Sequence, residues 1–134
     1  MKSLRITPVD DDAAENGAWA NYRGVKLRIA RANNPKFRSV FMRLTKPYQK
    51  ELNAQNAGAL DEDIMRDIMA KALSEAILTD WSNFVIDGEE IPFSKENAYS
   101  LLFNDEDCRE FVTEFSRDLD NYIREEEVEL SGKS

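Results

Sequence analysis

A chain of 134 residues, 42% apolar and 33% charged, is enough for one globular domain with a modest core and short of what two would need. A mean hydropathy of −0.59 and apolar runs of only a few residues argue against a membrane-spanning helix, which takes ~20 apolar residues. The absence of histidine removes the commonest general base, the usual zinc ligand and every Ser-His or Cys-His nucleophile.

The formal net charge is −8, yet nine of the 18 basic residues fall between Asn16 and Lys50, where no acid occurs. They are Arg23, Lys26, Arg28, Arg31, Lys36, Arg38, Arg43, Lys46 and Lys50. Such an asymmetry serves either an acidic partner or charge pairing inside the fold.

In chain order, residues 1–15 predict a flexible acidic N-terminal segment with no secretory pattern, so the chain is expected to stay where it is made. A globular domain over 16–124 follows. Alternation of Val25, Leu27 and Ile29 with Lys26 and Arg28, after a turn at Arg23-Gly24, predicts a basic-faced β-hairpin. Asn34 as cap and Pro35 in the first turn start a helix carrying Phe37, Val40, Phe41 and Leu44, which stops near Lys46 before Pro47. A short helical continuation to about Leu52 leads to a connecting loop over Asn53–Gly58.

Asp61, Glu62 and Asp63 place negative charge at the start of the next helix, whose apolar stripe is Leu60, Ile64, Ile68, Met69, Ala72, Leu73, Ala76 and Ile77. Asp87-Gly88, after Trp81, Phe84, Val85 and Ile86, predicts a second hairpin, with Pro92 confining its strand to an edge. Ser94 caps a helix with Ala98, Leu101, Leu102 and Phe103. Asn104 or Asp105 caps a last one, with Cys108, Phe111, Val112, Phe115, Leu119, Tyr122 and Ile123 inward. Residues 125–134 predict a flexible tail. The expected class is α+β, predominantly α-helical, with about four helices and one or two short β-hairpins in a single compact domain.

No catalytic site, cofactor or metal site is predicted. Asp61–Asp63 and Asp105–Asp107 lack the spacing of a calcium loop, and the five glycines form no phosphate-binding pattern. The lone Cys108 lies in an apolar repeat, where it packs as a small hydrophobe. Recognition remains, and two features can supply it. One is the hairpin with Arg23, Lys26, Arg28 and Arg31 beside Trp19 and Tyr22; the other is the helix bearing Met65 and Met69, an adaptable apolar surface. For Trp19, Tyr22 and Met69 the plain alternative is core packing.

Two segments are less generic. Gly17-Ala-Trp-Ala-Asn-Tyr-Arg-Gly24 leads to Leu27-Arg-Ile-Ala-Arg-Ala-Asn-Asn34 and Phe37. Trp81 then leads to Asp87-Gly-Glu-Glu-Ile-Pro-Phe-Ser-Lys-Glu-Asn-Ala98 and Leu101-Leu102. In this order, over residues 17–123, they resemble the tail assembly chaperones of long-tailed bacteriophages (a siphophage tail component family). The resemblance implies a non-catalytic protein that binds the phage tape measure protein, shields its apolar helices, helps recruit tail tube protein and is absent from the mature virion. A frameshifted longer product often accompanies such proteins.

Two alternatives stand beside it: a structural head-tail connector or minor tail component, and a small nucleic-acid-binding protein using the 23–50 stretch. The acidic remainder of the chain disfavours the second, since it repels phosphate. An edge strand near Ile91 offers a surface for self-association.

Overall fold

Arg23 and Gly24 both take positive φ, 51° and 88°, as a type I′ turn requires. They join strand β1 (Ala18–Tyr22) to β2 (Val25–Ile29) in an antiparallel hairpin with Tyr22 opposite Val25. Further on, β3 (Leu78–Ser82) pairs with the other side of β2, Leu27 facing Trp81. The sheet order is thus β1-β2-β3. Period-two alternation buries Leu27 and Ile29 on one face and leaves Trp19, Asn21 and Lys26 exposed on the other. This computed structural model describes residues 9–53 and 61–123.

Helices cover the inner face of the sheet. Asn34 accepts the Phe37 N–H at 2.8 Å and Pro35 occupies the first turn, which starts α2 (Pro35–Thr45) where the sequence predicts it. The chain then makes one 3-10 turn over Lys46–Tyr48 and a short α3 (Gln49–Asn53). All of the predicted 53–58 loop beyond Asn53, and the 125–134 tail, lie outside the described residues. Helix α4 (Glu62–Ala76), capped by Asp61, packs against both α2 and α5 (Lys95–Asn104). After Asp105, α6 (Glu106–Arg117) lies along α5 and touches β2. Ile29, Leu73, Ile77, Leu102, Cys108 and Val112 from these elements meet in one buried cluster. The fold is α+β and predominantly helical, as expected.

Two expectations are corrected. The acidic segment assigned to fraying through Glu15 contains a helix, α1 (Asp11–Asn16), because the Asp10 side chain accepts N–H bonds from Asp12 and Ala13. The last helix does not run to Ile123. It stops at Arg117, where Asp118 turns extended and its carboxylate caps a 3-10 turn over Leu119–Tyr122. Leu119, expected inward, is 44% exposed. Ending the helix there lets Tyr122 enter the core, with its hydroxyl donating to the Ile29 carbonyl at 3.0 Å. It also joins the described ends of the chain, since the Asp10 N–H reaches the Tyr122 carbonyl at 2.6 Å.

A polar tie links α4 to α5: the Tyr99 hydroxyl donates to the Asp67 carboxylate, which Lys71 also approaches at 2.9 Å. The Tyr99 hydrogen bond, with Lys71 behind it, holds Asp67 below its ordinary 3.8 against the opposing effect of burial. The same bond, together with burial, pushes the Tyr99 hydroxyl up to about 12. Asp67 therefore contributes stability above pH 3.8 that is lost as pH falls through its depressed value. Tyr99 contributes below its ordinary 10 and loses this as pH rises through about 12.

Tyr99→Phe should cost about 1 kcal/mol at neutral pH, less than a fully buried charged hydrogen bond because Asp67 is partly exposed. That penalty should shrink below pH 3.8. Thermal melts of both proteins check this; an equal penalty at the two pH values would mean that the pair contributes packing alone.

Candidate functional site

One concavity among the described residues is built by the second hairpin and the two C-terminal helices. Asp87 and Gly88 again take positive φ, 51° and 79°, closing two-residue strands β4 (Val85–Ile86) and β5 (Glu89–Glu90). Strands this short fix little by themselves. The hairpin is anchored instead by Trp81, whose indole N–H donates to the Ile91 carbonyl at 2.8 Å. The Trp81 ring sits 4.8 Å from that of Phe84 and 5.0 Å from that of Phe93. Pro92, assigned to an edge strand, lies outside β5 in an extended link, where its carbonyl accepts from the Asn97 amide at 2.9 Å.

Opposite the hairpin, Asn97, Ser100, Leu101 and Asn104 recur at helical spacing along α5, and Asp105, Glu106 and Asp107 close the end. The groove is open to solvent, measures about 490 Å³ and has Trp81, Phe84, Ile86, Ile91 and Leu101 as its apolar surface. A smaller pocket of about 150 Å³ shares Phe84, Leu101 and Asp105 with it and reaches Tyr22 and Arg23 on the first hairpin.

The groove combines an exposed apolar edge with an acidic rim. Val85 is 56% and Ile86 50% exposed, an unusual placement for adjacent β-branched residues unless something covers them. In the lining of the smaller pocket stands Tyr22, whose hydroxyl is buried and has no hydrogen-bond partner among the described residues. Burial, followed by the nearby Asp105 carboxylate, pushes its titration up. Cys108, behind the rim, is fully buried and its thiol is pushed up to about 12 chiefly by that burial. It stays protonated and packs as a small apolar group.

The residues nominated from sequence do not form one patch. Arg23 is exposed, 3.3 Å from Asp107 and stacked over Tyr22, so it belongs to the rim of the smaller pocket. Lys26 stands on the outer face of the sheet, level with Asn21 and Ser82. Arg28 is turned to internal use. Its Nε donates to the Gly17 carbonyl at 3.1 Å, and its guanidinium lies 3.7 Å from Asp12 and 5.9 Å from the centre of the Trp19 ring.

Arg31 lines a separate depression with Glu15 and Asn33. Met65 and Met69 are half-buried on α4, in a shallow hollow with Arg66 and Arg109 that meets the groove only at Glu106. Trp19, by contrast, is 50% exposed and lies outside the core. In the sequence Ile86, Leu101 and Asp105 stand out only as hairpin, helix and cap residues, and Tyr22 only as a companion of the basic hairpin. One signal was present: three consecutive apolar residues, Phe84-Val85-Ile86, before a two-residue turn cannot all face the core.

Comparison with known proteins adds a family. The model of a family described as YdaY prophage protein matches residues 32–133. That span includes β4, β5, α5 and α6, whereas Arg23, Lys26, Arg28 and Arg31 precede it. Neither the curated proteins nor the solved structures give a match.

Proposed function

The chain belongs to the YdaY prophage protein family, and from this phage origin we propose that it is a non-catalytic tail assembly chaperone. It acts in the host cytoplasm, binds the tape measure protein of the same phage and assists tail tube assembly. The observation that carries this reading is the groove: a largely apolar concavity of about 490 Å³ with the half-exposed Ile86 in its lining, on a protein whose net charge of −8 opposes aggregation. A binder of this kind covers apolar helices of its client until assembly and needs no bond-making chemistry. The order of the Trp19 and Trp81 segments, which resembles the tail chaperones, supports the same role.

Co-expression with the tape measure protein of the same prophage should yield a soluble complex that co-purifies. A tape measure protein that stays insoluble and unbound would overturn the proposal, as would finding this chain at stoichiometric level in purified virions, where a connector or minor tail component belongs.

A further inference from the structure

The groove specifies more about its occupant than apolarity. We propose that it seats a basic amphipathic segment, in which one large apolar side chain enters between Ile86 and Leu101 while flanking Lys or Arg residues meet Asp105, Glu106 and Asp107. This deepens the chaperone reading and rests on it for the owner of the segment, a tape measure helix. The chemistry of the segment follows from the groove itself.

Charge complementarity is the first argument. Three consecutive carboxylates line one end, and the hairpin on the opposite side carries Asp87, Glu89 and Glu90, exposed near the groove though not lining it. Among the described residues Asp105, Asp87, Glu89 and Glu90 have no Lys or Arg within 4.0 Å; Glu106 and Asp107 meet Arg109 at 3.9 Å and Arg23 at 3.3 Å. Both of those carboxylates are well exposed, so these pairs are weak and open to exchange with an incoming cation. An acidic or neutral segment would gain nothing here and would meet like charge.

The second argument is the Tyr22 hydroxyl. A buried hydroxyl without a partner opposes folding, and phenylalanine would fill the same space without that cost. Tyr22 lines the smaller pocket that shares Phe84, Leu101 and Asp105 with the groove, which fits a group that an arriving segment satisfies with a carbonyl or side-chain acceptor. The groove volume, about 490 Å³, matches the lower part of the range for specific ligand sites and accommodates one or two large side chains.

The test uses the full chain carrying Trp19→Phe, which leaves Trp81 in the groove as the only tryptophan. Its emission is followed against a synthetic amphipathic helical peptide of Leu, Ala and Lys, and against the same peptide with Glu in place of Lys. The Lys peptide should change Trp81 emission saturably and bind about tenfold or more tighter than the Glu peptide. Ile86→Ser, at a half-exposed position, should weaken the Lys peptide about tenfold. Tyr22→Phe should weaken it while raising the melting temperature of the free protein, a pair of opposite shifts that a purely structural tyrosine would not give.

Equal binding of the two peptides, binding indifferent to Ile86→Ser, or no saturable signal overturns the proposal. So does concentration-dependent self-association abolished by Ile86→Ser, which would assign the groove to a second copy. Co-purification with the tape measure protein that survives Ile86→Ser leaves the chaperone reading standing and removes the groove from it. Lys-peptide binding without any tape measure complex does the reverse.

Discussion

Trp81→Ala should lower stability by roughly 3–5 kcal/mol and detach the β4–β5 hairpin from the helices. The indole is 6% exposed and has three jobs at once. It faces Leu27 across the β2–β3 ladder, fills the space between the rings of Phe84 and Phe93, and donates to the Ile91 carbonyl at 2.8 Å. Removing it opens a cavity under the hairpin and leaves the Ile91 acceptor unpaired. Against a total of about 5–15 kcal/mol for a domain of this kind, the variant should stand close to unfolding.

Denaturant melts measure the loss, and hydrogen exchange at the Ile91 amide, which bonds to the Phe84 carbonyl at 2.8 Å, reports the hairpin separately. Trp81→Phe keeps most of the ring packing and drops only the N–H donor, so its cost should be nearer 1 kcal/mol. If Trp81→Ala melted within about 1 kcal/mol of the native chain, the hairpin would not be anchored as described.

The features that were legible in the sequence are those set by near neighbours. Asn34-Pro35 starts α2, Ser94 caps α5 and Asp105 caps α6, each through a side chain that reaches an N–H three residues on. Arg23-Gly24 and Asp87-Gly88 close hairpins because only a few residue types accept positive φ in succession. The end of α6 was not legible: Leu119, Tyr122 and Ile123 continue the apolar period, and Asp118 stops the helix only because Tyr122 finds Ile29 in β2, distant in sequence. Helix α1 was missed for a related reason. Its six residues bury none of their own side chains, and it is held by distant partners such as the Arg31 N–H on the Ala14 carbonyl.

The groove shows the same limit. Trp81 and Leu101 come from β3 and α5, Asp105 from the link between α5 and α6, and Tyr22 in the adjoining pocket from β1, and no local pattern puts them together. The charge pattern misled in the opposite sense, since nine basic residues within one acid-free stretch are distributed over a hairpin turn, β2, a loop, α2, the 3-10 turn and α3. Arg43, for instance, is taken up by a two-oxygen contact with Glu75 at 2.9 and 3.0 Å.

Gly17→Ala is the sharpest test of how α1 joins the sheet. Gly17 has φ 117° and ψ 147°, a region that side-chain-bearing L-residues scarcely enter. A Cβ there would stand 2.7 Å from the Arg28 Cγ, 2.9 Å from the Thr79 hydroxyl and 3.0 Å from the Ile29 backbone nitrogen. Arg28 could swing away, but only by giving up its bond to the Gly17 carbonyl and its place near Asp12 and Trp19; the Ile29 nitrogen belongs to β2 and has nowhere to go.

Strain and clash together predict a loss of about 3 kcal/mol. Gly24→Ala separates the two contributions. Gly24 also has positive φ, 88°, yet nothing lies within 4 Å of the added Cβ, so it bears the conformational cost alone, about 1 kcal/mol. Equal melting temperatures for the two variants would show that the α1–β1 junction has room that its packing denies. A gap of about 2 kcal/mol would mean that Arg28, nominated from sequence as a docking residue, is committed to holding Gly17 against the sheet.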